Sequence, residues 1–194
     1  MITKLKYGNT NTFLIHGESG NLLVDTDYAG TLPAFYRAIK EADIRIPDIA
    51  YVLATHYHPD HMGLISELMK QGVKLLLLDT QQPHVHFSDA LFARDKRLRY
   101  EPISGEAAAV IKSEESRAFL AGLGIRGEIA VTPSHSADSV SLLLDSGECF
   151  VGDLEPPEYL EAYEEKDELK RDWERILRHG PKAVYYAHMP PKFL

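Results

Sequence analysis

The chain has 194 residues, 44% of them apolar and 26% charged. That suffices for one globular domain, residues 1–194, with its own core, and it is not the balance of a disordered or fibrous chain. Nine acids and three bases between Asp153 and Asp172 carry −6 of the net charge of −8, so the acidity is local, and it argues against a nucleic-acid partner, which usually needs a basic surface.

A single cysteine, Cys149, excludes an intramolecular disulfide and fits a reducing cytoplasm. No apolar run approaches the ~18 residues that span a bilayer, and the opening residues carry no secretory signal. In chain order, apolar runs over 12–15 and 22–25 predict two strands joined by a turn. Helical spacing follows over 32–42, then a short strand over 49–54. Apolar residues at 62, 64, 65, 68 and 69 predict a helix over 62–71 that Gly72 stops. A buried strand is expected over 73–78, and residues 80–104 have no clear period and read as loop with a helical turn. A second amphipathic helix is expected over 106–123. Strands are expected over 128–132, 139–144 and 148–152, the last two a hairpin through Asp145-Ser146-Gly147. A charged helix over 157–179 and a last strand over 183–187 complete the pattern. Strands in two batches, each followed by helix, predict two sheets covered by helices.

The densest chemical signal is Thr-His-Tyr-His-Pro-Asp-His over residues 55–61, which places His56, His58, Asp60 and His61 within six positions. Imidazole and carboxylate together suit zinc, and also iron or manganese. Three further strands run into a side chain of the same type: 129–131 leads to His135, 149–152 to Asp153, and 184–187 to His188. Ligands on strand ends can converge at one sheet edge, where the backbone holds them rigidly. Seven candidates are enough for two cations sharing one bridge.

The ordered set resembles the metallo-β-lactamase-fold hydrolase superfamily over nearly the whole chain. It comprises Asn11-Thr12-Phe13-Leu14-Ile15, Leu22-Leu23-Val24-Asp25-Thr26, the cluster at 55–61, Pro133-Ser134-His135-Ser136, Gly152-Asp153 and Ala187-His188. The resemblance implies an α+β fold, a four-layer αββα sandwich of two mixed β-sheets flanked by helices. It implies that His56, His58 and His135 hold one metal and Asp60, His61 and His188 a second, with Asp153 bridging them. The ions would be divalent, zinc first, with iron or manganese as alternatives. Asp25 matches the family's buried acid beneath the site, a supporting partner of the ligands. The aspartate bridge is similar to the glyoxalase II and lactonase branches, and it implies a hydroxide attacking an ester, thioester or lactone carbonyl. Asp60 would also orient that hydroxide or move a proton.

Two departures bear on substrate. Many members read Asp-Thr-Gly after the second strand, where this chain has Asp25-Thr26-Asp27, and only six residues follow His188, so the glutathione-gripping helical domain of glyoxalase II is not expected. Other readings stay open on the same residues: a persulfide-dioxygenase-like oxidoreductase with one iron on His56, His135 and Asp153, or a non-catalytic metal-binding member of the fold. The expected partner is a small-molecule substrate, neither nucleic acid nor membrane, with a homodimer possible.

Candidate substrate contacts are His84 and His86 in the 80–104 loop, Arg94 and Arg97 beyond them, and Tyr159, with Leu160 and Tyr163, at the cleft mouth or a dimer contact. For the loop residues a solvated surface is the competing reading. Cys149 shares strand parity with Val151 and reads as core.

Overall fold

The computed structural model describes residues 1–104, 108–161 and 167–194. Eleven strands among them form two mixed sheets. The first sheet holds β1 (Ile2–Leu5), β2 (Thr12–Ile15), β3 (Asn21–Val24), β4 (Ile49–Leu53), β5 (Lys74–Leu78) and β6 (Ala108–Ile111) in sequence order. β1, β2 and β3 pair antiparallel, and β3 to β6 pair parallel. The second sheet comprises β7 (Gly127–Val131), β8 (Val140–Leu144), β9 (Glu148–Phe150), β10 (Ala183–Tyr185) and β11 (Lys192–Phe193), in the spatial order β11-β10-β9-β8-β7. Only β9 and β10 pair parallel there.

The period of two along the strands divides the core into layers. In β5, Leu75 and Leu77 face the outer cluster of the first sheet, while Leu76 and Leu78 face the interior between the sheets. In β9, Phe150 points inward and Cys149 outward. The middle layer joins Phe13, Phe150 and Tyr185 across the two sheets, with ring centroids 5.0 to 5.5 Å apart. The outer face of the first sheet is covered by α1 (Leu32–Glu41), α2 (Pro59–Met62), α3 (Ile65–Met69) and α4 (Asp89–Phe92), through Phe35, Ile39, Met62, Ile65, Leu68 and Phe92. α5 (Ser116–Gly122) adds Leu120 to the middle layer, and α6 (Asp167–Arg178) covers the second sheet with Leu169, Trp173 and Ile176. This is the four-layer αββα sandwich. Among the described residues no helix is long and apolar enough to cross a membrane.

Three expectations need correction, and two strands were not expected. The helix over 106–123 does not form as one element: residues 106 and 107 lie outside the described residues, 108–111 pair with β5 as an edge strand, and only 116–122 are α-helical. Ala-Ala-Val-Ile is compatible with helix in isolation, and the sheet edge overrides that weak preference. The helix over 62–71 is interrupted after Met62. Thr26 takes the carbonyl of His61 with both its backbone N–H (2.9 Å) and its hydroxyl (3.1 Å), so that carbonyl is spent outside the helical ladder. The 157–179 segment opens with a 3₁₀ stretch, Pro157–Glu161, and its α-helix is Asp167–Arg178. Finally, β1 and β11 are strands that the apolar pattern does not announce.

Candidate metal centre

Five strands deliver the site. β3 ends in Asp25, β4 in Thr55-His56, β7 in the loop carrying His135, β9 in Gly152-Asp153 and β10 in the segment carrying His188. α2 supplies Asp60 and His61. Gly152 has φ of +58°, and a Cβ there would lie 2.4 Å from Thr55 Oγ1. Glycine therefore lets the Asp153 turn pack directly on the root of the histidine cluster.

Three groups of potential ligand atoms result, each within 4.8 Å: His56 with His58 and His135, His56 with His61 and Asp153, and Asp60 with His61 and His188. His58 Nδ1 lies 3.0 Å from His56 Nε2 and 3.2 Å from His135 Nε2. Asp153 faces both sides. Its Oδ2 is 3.9 Å from His56 Nε2 and 3.8 Å from His135 Nε2, and its Oδ1 is 3.4 Å from His61 Nε2 and 3.3 Å from His188 Nε2. His188 Nε2 also lies 3.2 Å from Asp60 Oδ2.

These residues fit a divalent cation. His61 Nε2 and Asp153 Oδ1 are buried without a hydrogen-bond partner, and buried polar atoms normally have one. Burial alone would push the His61 imidazole down, but the Asp25 and Asp153 carboxylates overcome it and hold it up at about 10; the space between them favours positive charge. His56 behaves oppositely: burial, and then the surrounding imidazoles, hold it far below the ordinary histidine range. It stays neutral, with a lone pair free for a cation. Burial also lowers His135, against the pull of Asp153.

A model of the Metallo-beta-lactamase superfamily matches residues 5–188. The chain belongs to the metallo-beta-lactamase superfamily. Members of this superfamily are mostly metal-dependent hydrolases, and the fold binds divalent metals. Beta-lactamase-like protein 2 homolog of Drosophila melanogaster is 25% identical over 184 residues, which are 92% of this chain and 58% of that protein. Lactamase-like protein nscB of Trichophyton rubrum is 26% identical over 146 residues, covering 74% of this chain and 38% of that protein. The chain thus spans less than two thirds of either relative. The crystal structure of a metallo-beta-lactamase family protein from Thermus thermophilus matches with a TM-score of 0.71 at 22% identity, over 98% of this chain and 74% of that one, a likeness of fold.

Within this metallo-beta-lactamase fold, outer partners set the ring orientations. Asp25, in the left-handed region at φ 60°, accepts from the Thr55 N–H (2.6 Å), the Thr55 hydroxyl (2.9 Å) and His61 Nδ1 (3.1 Å). His61 therefore presents Nε2 to the site. Thr55 Oγ1 lies 3.3 Å from His56 Nδ1 and does the same for that ring.

Sequence reasoning missed two residues that act over long range. Gln81 is fully buried; its amide donates to the carbonyls of Ala54 (3.0 Å) and Asp138 (3.1 Å) and accepts from Leu78 N–H (3.2 Å). The Asp138 carboxylate accepts from Tyr57 N–H (2.6 Å) and the Ser136 hydroxyl (2.8 Å). Together they clamp the 55–58 segment to the loop of His135.

The expected substrate contacts separate. A cleft of ≈ 310 Å³ opens beside the centre, lined by His135, Asp153, His188, Leu154, Tyr159 and Met189 among others. Tyr159 is therefore at the site. His86 pairs with Asp89 at 2.8 Å and lines a different hollow with Val85 and Ile103. His84 is half-buried and does not line the cleft. Arg94 is exposed, and Arg97 is bidentate on its neighbour Asp95 and 91% exposed. Tyr163 lies outside the described residues. Phe87, unforeseen, is 65% exposed with its ring 5.5 Å from that of His58. Cys149 is core, and burial pushes its thiol up to about 12, so it is not poised as a thiolate.

Proposed function

We propose that the protein is a dinuclear metal-dependent hydrolase, with zinc the first expectation, acting on an ester, thioester or lactone carbonyl. The observation that carries this reading is the Asp153 carboxylate, which turns one oxygen to each triad. His56, His58 and His135 would hold one cation, Asp60, His61 and His188 the other, and Asp153 would bridge them. When bound, such a pair supplies hydroxide at neutral pH and polarises a carbonyl oxygen.

The chain's own residues then do the positioning. Asp25 and Thr55 fix the tautomers of His61 and His56. Asp60, whose Oδ1 lies 3.9 Å from His61 and Oδ2 3.2 Å from His188, stands where it can orient a water or take up a proton. The cleft brings a carbonyl against His135 and His188. Its Leu154, Pro156, Tyr159 and Met189, with the exposed Phe87 ring 5.5 Å from that of His58, favour an uncharged acyl group, since apolar side chains lining a concave site mark ligand contact. We propose a small molecule as the partner and, from the single buried cysteine, a cytoplasmic compartment.

The test is a screen of neutral esters, thioesters and lactones with the metal-loaded protein, repeated with Asp60→Asn and His135→Ala. Turnover by the wild type that drops in both variants is expected. Full activity retained in both would sink the mechanism.

A further inference from the structure

At residue 27, where many members of the superfamily carry glycine, this chain has a buried aspartate. We propose that Asp27 is the positioning residue of one half of the centre, Asp60 and His188, and leaves the His56 triad untouched. The inference rests on the two-cation reading.

The argument follows the contacts of residues 7–11. Asp27 Oδ2 accepts the N–H of Thr10 at 3.1 Å, and Oδ1 accepts the N–H of Tyr28 at 2.6 Å. Gly8 closes over the same carboxylate: a Cβ at residue 8 would lie 1.8 Å from Oδ2, so only glycine leaves the space the acid fills. The loop pinned in this way then reaches the ligands. Thr10 Oγ1 donates to the Asp60 carbonyl at 2.7 Å. The Asn9 carbonyl faces His188 Nδ1 at 3.4 Å, which turns Nε2 of that ring towards Asp60 and Asp153. Asn11 binds the ligand-bearing segment three times: its N–H donates to the Ala187 carbonyl at 2.7 Å, and its side-chain amide donates to the carbonyls of Tyr186 (2.9 Å) and Met189 (3.1 Å). None of these bonds touches His56, His58 or His135. A glycine at position 27 would supply neither acceptor. The Asp27 carboxylate therefore anchors a loop that holds two of three ligands on one side of the centre, and outer partners of metal ligands set affinity by such orientation.

The experiment compares wild type, Asp27→Asn and Asp27→Ala as full-length chains. Metal-free protein is titrated with zinc in competition with a chromophoric chelator, and amide hydrogen exchange is read on the same metal-free proteins. In Asp27→Ala the first zinc equivalent should bind as in wild type and the second ~10-fold or more weaker. Asp27→Asn, which keeps one acceptor, should recover part of that loss. Exchange at residues 9–11 and 187–189 should accelerate in Asp27→Ala, with residues 55–58 unchanged. Equal weakening of both equivalents, or an unaltered second one, overturns the assignment. If wild type takes up only one zinc, the two-cation reading fails by itself; exchange at residues 9–11 then decides the role of Asp27, and unchanged protection there rejects it.

Discussion

The triad of His56, His58 and His135 stands on strand ends clamped by Gln81 and Asp138, whereas Asp60, His61 and His188 depend on Asp25 and on a loop near one end of the chain that holds a segment near the other. Both triads contain one buried, one half-buried and one exposed ligand, so burial does not distinguish them. The frame does. Gln81 and Asp138 bond backbone groups of the 54–57 segment and of the loop following β7, both rooted in the sheets. Asn11, at the end of the loop that Asp27 anchors, instead bonds the segment that follows β10, at Tyr186, Ala187 and Met189. The first triad is thus framed by two buried side chains lying between strand ends, and the second by the loop of residues 7–11 that Asp27 holds.

Asp153 lies on the boundary of that comparison, and its loss should have the largest effect. Asp153→Ala is expected to abolish uptake of both cations at once and to lower any turnover by more than ~100-fold, beyond what removal of an outer partner costs; chelator competition would show it. Asp138→Ala should sharpen the contrast from the side opposite to Asp27. It leaves the Tyr57 N–H without its acceptor, so the first cation should bind ~10–100-fold more weakly while the Asp60 side is spared. Gln81→Met keeps the side-chain volume but strands Leu78 N–H and two carbonyls. A loss of about 1–3 kcal/mol in a denaturant titration is expected, the cost of leaving a buried polar group unsatisfied. The smallest effects should lie outside both frames. Phe87→Ala should raise KM for neutral acyl substrates several-fold with metal content unchanged, and Arg97→Ala, which removes only an exposed pair with Asp95, should change neither.

The candidate ligands were legible in the sequence because metal chemistry restricts residue type: His and Asp at the ends of apolar runs stand out whatever the fold does with them. The strands over 12–15, 22–25 and 73–78 were legible through apolar runs. β1 was not, since Ile-Thr-Lys-Leu is too short and polar to signal, and its strand state comes from pairing with β2. The Ala108–Ile111 edge was misread because its residues suit a helix until β5 offers a partner. Asp27 was legible only as a departure from the family's Asp-Thr-Gly, without a role, and Gln81 and Asp138 could not be found at all. A lone polar residue in a loop looks solvated, and only the fold brings Gln81 within reach of a carbonyl 57 positions away.

The central claim is that one bridging carboxylate serves two cations. It is tested most directly by elemental analysis of protein purified without added metal and without a histidine tag. The account predicts about two divalent ions per chain, zinc first. A single iron per chain, or no metal even after reconstitution, would contradict it, the first pointing to a mononuclear oxidoreductase and the second to a non-catalytic member of the fold.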